Sequence, residues 1–179
     1  MKRLVYCALA ALLATTGVAR AGSIGIGAFG GWSVPVLQED QGQGSLYGLR
    51  IPVHLLPLLT VEPFYAETSL GDKTIDLAPG VSTTREGSSV DSYGLNAILT
   101  MSGPVTFYPF AGIGSSTFKR TGENETFTAY YLGLGLGLSP IPKFSIDLRA
   151  EMQVAADGDV SRKITNITLG ASYALIPLP

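Results

Sequence analysis

Between Lys143 and Val154 the chain alternates without a break. Phe144, Ile146, Leu148, Ala150, Met152 and Val154 are apolar, and Ser145, Asp147, Arg149, Glu151 and Gln153 stand between them. Successive side chains of a β-strand point to opposite faces, so this segment sorts into a greasy face and a face bearing two acids and an arginine. The division recurs. Leu132, Leu134, Leu136 and Leu138 oppose Tyr131, Gly133, Gly135 and Gly137. Tyr93, Leu95, Ala97, Leu99 and Met101 oppose Ser92, Gly94, Asn96, Ile98 and Thr100. Ile167, Leu169, Ala171, Tyr173 and Leu175 oppose Thr168, Gly170, Ser172 and Ala174.

Period two, punctuated by Gly, Pro, Asn and Asp, marks eight strands, at about 23–34, 45–56, 58–69, 91–102, 105–118, 126–138, 143–155 and 163–175. Each is long enough to cross a bilayer when tilted. The connections alternate in length. Leu56-Pro57-Leu58, Ser102-Gly103-Pro104 and Ser139-Pro140-Ile141-Pro142 are tight, whereas 35–44, 70–90, 119–125 and 156–162 are longer and polar. Short turns at one end and long loops at the other are the pattern of an all-β, eight-stranded, antiparallel up-and-down transmembrane β-barrel. An even strand number puts both termini at the short-turn end. Pro52, Pro63 and Pro109 lack a ladder donor and are expected at rims, bulges or widely spaced pairs.

Alternation alone fits two barrels of opposite polarity. A soluble lipid-binding barrel, lipocalin-like and periplasmic, is apolar inside; a membrane barrel is apolar outside. The less greasy face decides. A soluble exterior is about a quarter to a third charged, but here that face carries mainly Gly, Ser, Thr, Asn, Ala and Tyr in mid-strand. The mid-strand charges are Arg50, Glu62, Asp147, Arg149 and Glu151, and their parity sets them opposite the aliphatic residues. An arginine facing lipid at the bilayer centre costs about 2–4 kcal/mol. With two cations and three acids available, the five are expected inside, as a structural polar network. Glycines at 25, 27, 133, 135 and 137 leave room for inward Phe29, Tyr108, Phe110 and Tyr131. Trp32, Tyr47, Tyr65, Tyr93, Phe107, Tyr130, Phe144 and Tyr173 fall near strand ends, as interfacial girdles require.

The N-terminus reads as an export signal. Lys2 and Arg3 precede the apolar run Leu4 to Thr15, and Ala19-Arg20-Ala21 suits cleavage before Gly22. The expected division is therefore a signal peptide at 1–21 and a barrel domain at 22–179. Cys7, the only cysteine, lies within the signal, so the mature domain has no disulfide and no cysteine-based metal site. Three of the 12 cations, Lys2, Arg3 and Arg20, leave with the signal, while all 14 acids remain. An acidic chain with no basic patch is a poor partner for nucleic acid.

These features resemble the small outer-membrane β-barrel family, the OmpA-type transmembrane domains and OmpX-like proteins. The resemblance is carried by Val61-Glu62-Pro63-Phe64-Tyr65-Ala66, by Phe107-Tyr108-Pro109-Phe110-Ala111-Gly112-Ile113-Gly114 and by Tyr131-Leu132-Gly133-Leu134-Gly135-Leu136-Gly137. It implies a place in the cell outer membrane, contact with outer-membrane lipids, insertion by the barrel-assembly machinery, and no cofactor. Members usually end on an aromatic residue that forms part of the assembly signal. This chain ends Tyr173-Ala-Leu-Ile-Pro-Leu-Pro179, so Tyr173 is expected to serve from within, or recognition by the machinery differs. No peptidoglycan-binding domain follows, so cell-wall tethering is not implied.

Some barrels of this kind modify lipid A, a chemistry that needs a nucleophile and a base held together. His54, the sole histidine, faces inward near a short turn. Lipid A deacylases of the fold use a His/Ser pair on the lipid-facing surface near the outer rim, which does not match. Glu62 on the next strand could orient His54, but no serine stands out as a nucleophile. Asp157-Gly158-Asp159 lacks the further ligands of a calcium loop and reads as a polar turn. Asn124-Glu125-Thr126 matches a glycosylation sequon that an outer-membrane location makes accidental. No catalytic, cofactor-binding or metal residue is therefore assigned. The leading expectation is a non-enzymatic barrel serving envelope integrity or surface interaction, with a lipid A-modifying enzyme as the alternative. The long loop at 70–90, which mixes Ile75, Leu77 and Val81 with charges, is the place for an extracellular ligand.

Overall fold

The computed structural model describes residues 22–36, 41–78, 81–100, 105–120, 123–157 and 160–177. The segment read as an export signal, the connection expected at Ser102-Gly103-Pro104, and Gly158 and Asp159 lie outside them. The described strands are β1 (Ser23–Val36), β2 (Gly44–Arg50), β3 (Val53–Leu56), β4 (Leu59–Leu70), β5 (Lys73–Ala78), β6 (Val81–Arg85), β7 (Ser89–Leu99), β8 (Val105–Arg120), β9 (Glu123–Ile141), β10 (Phe144–Asp157) and β11 (Val160–Pro177). All but β5 and β6 form one sheet, in which β11 returns to pair with β1 and closes a barrel. Strands β2 and β3 are two parts of one stave, so the barrel has eight staves, every neighbouring pair antiparallel. Closure removes the free edges that an open sheet would expose.

Solvent exposure gives the direction of the apolar face. Leu132, Leu134 and Leu136 are 64%, 50% and 50% exposed, whereas Asp147 and Arg149 on the neighbouring strand are 7% and 9% exposed. The barrel is inside out with respect to a soluble one. Its outer surface carries Leu49, Leu95, Ile113, Leu148, Ile167 and Leu169, all exposed. Trp32, Tyr47, Tyr65, Tyr93 and Tyr130 sit on this surface towards the long-loop end, and Phe107 and Tyr173 towards the other. Phe144 departs from the expected girdle. It is half-buried and lines the short-turn mouth, because the ladder is irregular between Phe144 and Ile146.

The strands extend further than period two suggested. Every described residue of 119–125 and 156–162, expected as loops, is strand, so β8–β9 and β10–β11 stand above the apolar band. The loop at 70–90 is not irregular either: β5 and β6 form a separate two-stranded hairpin within it. Pro52 lies at the break between β2 and β3, where Gly25 N–H donates to its carbonyl at 2.8 Å. Pro63 and Pro109 lie in mid-strand rather than at a rim. Pro63 stands beside that break, with Ile51 N–H donating to its carbonyl at 2.9 Å. The β7–β8 ladder stops at Ile98↔Phe110, one residue short of Pro109. Each proline is thus placed where a ladder is already interrupted.

Candidate functional site

The lumen is built from the faces with small residues. Glycine on one strand receives a large side chain from its neighbour. A Cβ at Gly135 would lie 2.2 Å from Tyr108 Cζ, and one at Gly133 would lie 2.4 Å from Phe110 Cζ. A Cβ at Gly170 would lie 2.3 Å from Arg50 Nη2. These positions let two aromatic rings and a guanidinium turn into a cylinder that has room for little more than side chains.

At mid-height the side chains form an ionic ring. Arg50 on β2 donates from Nη1 and Nη2 to Asp147 Oδ1 and Oδ2 on β10, at 3.1 and 2.5 Å. Arg149 donates from Nη1 and Nη2 to Glu62 Oε1 and Oε2 on β4, at 2.6 and 2.9 Å. Two longer contacts join the pairs, Arg149 Nε to Asp147 at 3.2 Å and Arg50 Nε to Glu62 at 3.8 Å. Arg149 Nε also donates to Tyr108 Oη at 2.9 Å, and Arg50 Nε to Ser172 Oγ at 3.2 Å. Phe29 lies 5.7 Å from the Arg50 guanidinium, and Tyr108 and Phe110 lie 5.4 and 5.3 Å from that of Arg149. Two bidentate pairs with matched charge satisfy the conditions under which buried ions can be held.

Glu151, fifth of the charges expected inside, stands apart from this ring. It accepts from Asn166 Nδ2 at 3.0 Å, and the Asn166 side-chain oxygen accepts from Ser33 Oγ at 2.7 Å. Gln153, one turn of the pleat further, donates to Ser116 Oγ at 2.8 Å, which in turn meets Tyr131 Oη at 3.1 Å. Asn96 Oδ1 is the one buried side-chain polar atom without a partner among the described residues. Asn96 lines a chamber of about 30 Å³ shared with Glu151 and Gln153, enough for a single water.

Above this layer the lumen is apolar. Leu70, Val90, Phe118, Phe127, Ala129, Tyr131, Ala155 and Ile164 form one buried cluster, with the Phe118 and Phe127 rings edge to face at 5.4 Å. Arg162 lies over both rings, 4.6 and 5.2 Å from their centroids, and donates to Glu125 at 2.5 Å. At the same end the connections after β1 and β4 bond to one another and to the segment before β7. Gln41 donates to Ser88 Oγ at 2.7 Å, Gly42 N–H to the Gly71 carbonyl at 2.9 Å, and Gly87 N–H to Asp72 Oδ1 at 2.7 Å. On the outer surface here, Lys119 donates to Asp91 at 2.5 Å, and that carboxylate holds the ammonium above the usual lysine range.

Below the ring the lumen opens. A cavity of about 250 Å³ reaches from Glu62, Tyr108, Asp147 and Arg149 to the short-turn mouth. His54 is on its rim, and Nδ1 lies 2.6 Å from Thr60 Oγ1, not against a serine. Glu62, which could have oriented His54, is held by Arg149 instead. Among the described residues no three His, Cys, Asp or Glu side chains converge as metal ligands.

No protein-family model and no characterised protein matches the chain by sequence. Solved structures do match. Neisserial surface protein A is 12% identical with a TM-score of 0.63, covering 86% of this chain and 97% of its own. Ail, the attachment invasion locus protein of Yersinia pestis, is 21% identical with a TM-score of 0.50 over 86% of this chain and 97% of its own. The N-terminal β-barrel domain of Pseudomonas aeruginosa OprF is 18% identical with a TM-score of 0.51, over 84% and 97%. The fold is that of the small outer-membrane β-barrels.

Such an outer-membrane barrel can keep its staves while its lumen varies, and sequence reading captured only part of this lumen. It grouped Arg50, Glu62, Asp147, Arg149 and Glu151 by parity but could not say which pairs meet. It left Arg162 in a loop. The signal for Arg162 was its parity with Ile164, Asn166 and Thr168, the inward residues of β11.

Proposed function

We propose that this chain is a non-enzymatic protein of the cell outer membrane that holds an extracellular hairpin for surface contact, with a secondary part in envelope integrity. The observation that carries the reading is the β5–β6 hairpin. The lumen at that end is filled by packed rings and an ion pair, so the free chemistry lies in the loops. The hairpin pairs Lys73↔Arg85, Thr74↔Thr84 and Ile75↔Thr83, and it forms a sheet separate from the barrel. Isolated two-stranded hairpins are marginal in water, which suits an element completed by a partner. The apolar belt supports contact with outer-membrane lipids, and insertion would fall to the barrel-assembly machinery.

The same fold in Ail has been solved in complex with the heparin analogue sucrose octasulfate. A polyanion is a poor fit here, because acids outnumber bases across the long connections, with Glu39, Asp40, Asp72, Asp76, Glu86, Glu123, Glu125, Asp157 and Asp159 among them. A cationic or neutral surface is the better match. Against lipid A chemistry stands His54, at the short-turn mouth with Thr60 as its partner.

The test uses three strains: one lacking the protein, one restored with the full chain, and one restored with residues 73–85 replaced by Asn-Gly. Both restored proteins should fractionate with the outer membrane and migrate faster unboiled than boiled. Attachment to cultured epithelial cells should return only with the full chain, while detergent resistance should return with both. Recovery of the full chain in the aqueous periplasm, or equal attachment without the hairpin, would overturn the reading.

A further inference from the structure

The cavity at the short-turn end holds about 250 Å³, and the ionic ring leaves it with an unbalanced set of groups. Among the described residues two acids line it, Glu62 and Asp147, and both are engaged by guanidinium pairs that neutralise them. Apart from Tyr108 and Tyr173, the remaining ionisable lining groups are basic: Lys143, for which no acid partner occurs among the described residues, and His54. At the floor, Tyr108 is 5% exposed. Its hydroxyl oxygen accepts from Arg149, but no acceptor for its own proton lies among the described residues. A buried donor without an acceptor points to an oxygen supplied from the cavity.

The walls select further. Thr60, Thr100, Thr106 and Ser145 offer hydroxyls, while Ile98 and Phe144 offer an apolar surface. If the Thr60 hydroxyl donates to His54 Nδ1, the neutral ring carries its proton on Nε2, a second donor at the rim. Lys143 is fixed by its turn. It has φ 69°, and its carbonyl accepts from Ala174 N–H at 2.8 Å, which ties the turn to β11. Drug-sized ligands occupy about 300–1,000 Å³. A cavity of about 250 Å³ takes something smaller.

We propose that the short-turn mouth of the barrel binds a small organic carboxylate, its carboxylate received by Tyr108 at the inner end of the cavity and its compact apolar body lying against Ile98 and Phe144, with Lys143 at the rim supplying the positive charge that favours an anion. The ionic ring closes the inner end and makes the site a blind cup: the ligand enters and leaves through the same mouth. Two neutral pairs at its floor avoid repelling an anion, and among the described residues no other carboxylate lines the cup to oppose it.

The experiment uses the full mature chain in phosphatidylcholine nanodiscs, with amide and side-chain NMR shifts read on titration. The probes are benzoate, its neutral counterpart benzamide and the cation benzylammonium. Benzoate should give saturable shifts at Thr60, Tyr108 and Phe144, with benzamide weaker and benzylammonium without effect. Tyr108→Phe should weaken benzoate about tenfold, the scale of a lost hydrogen bond to a charged group, and Lys143→Gln should weaken it by a smaller factor, each variant checked for folding by heat-modifiable mobility. Lys143 lies on an exposed turn, so its variant retains the fold. Non-saturable shifts, equal binding of benzamide, or unchanged benzoate affinity in Lys143→Gln would each overturn the proposal.

Discussion

Arg50 and Asp147 lie 97 positions apart, with β1 and β11 standing between their staves, and they are joined across the lumen by two hydrogen bonds. No backbone ladder connects their strands, so this pair ties two non-adjacent walls directly. With Arg149 and Glu62 it fixes the cross-section of the barrel at mid-height.

Removing one partner leaves a buried charge unanswered. Arg50→Met should destabilise the barrel by about 3–5 kcal/mol, and adding Asp147→Leu should recover much of that loss. Urea unfolding in lipid vesicles measures both. A double variant no more stable than the single would show that the charges do not act as a pair.

Glycine substitutions should have opposite signs on the two faces. Gly135→Ala drives a Cβ into Tyr108 and should cost about 1–3 kcal/mol. A Cβ at Gly30 meets only the Leu46 carbonyl oxygen, at 3.5 Å. Gly30→Ala should therefore be neutral or stabilise by up to about 1 kcal/mol, through a less free unfolded chain. The same unfolding measurement distinguishes them, and equal losses at both would contradict the packing described.

Depth in the bilayer should grade the cost of charge on the outer face. Leu134 is central on β9 and exposed, so Leu134→Arg should cost about 2–4 kcal/mol in vesicles. Thr128 is exposed on the same face of β9, near the long-loop rim. Thr128→Arg should cost about 0–1 kcal/mol. A reversal of this order would place the apolar band elsewhere.

The lumen has two closures in series, and opening one should not open the other. Planar bilayers holding the mature chain should show no stepwise conductance. Phe118→Ala with Phe127→Ala should remain silent, because the ionic ring stands below. Steps should emerge only when Glu62→Ser and Arg149→Ser are added. Conductance in the first double variant would mean that the ring does not seal.

Much of the architecture is legible because period two is written twice on each strand. Leu132, Leu134 and Leu136 mark what faces lipid, and Gly133, Gly135 and Gly137 mark what faces inward. The inward placement of Asp147 and Arg149 follows from the same parity. What parity cannot give is distance across the lumen. Asp147 meets Arg50 and Glu62 meets Arg149 because of where closure brings β2, β4 and β10, a property of the whole cylinder. Nor does parity mark where lipid ends. Polar residues such as Asn124, Glu125 and Ser161 continue as strand above the apolar band, where they look like loop. The β5–β6 hairpin escaped for a related reason: its short runs, among charges, give little alternation to read. Phe144 escaped because the ladder irregularity beside it breaks the count.

The break at Ile51–Pro52 has a mechanical side. Strand β1 is laced to β11 from Ser23↔Pro177 to Val36↔Lys163, yet to β2 only from Gly27↔Arg50 to Ser33↔Gly44, with two further pairs to β3. A tether pulling on the amino end would therefore not peel β1 away alone. The tear should start along the β1–β2 side, and β1 should leave as a hairpin with β11.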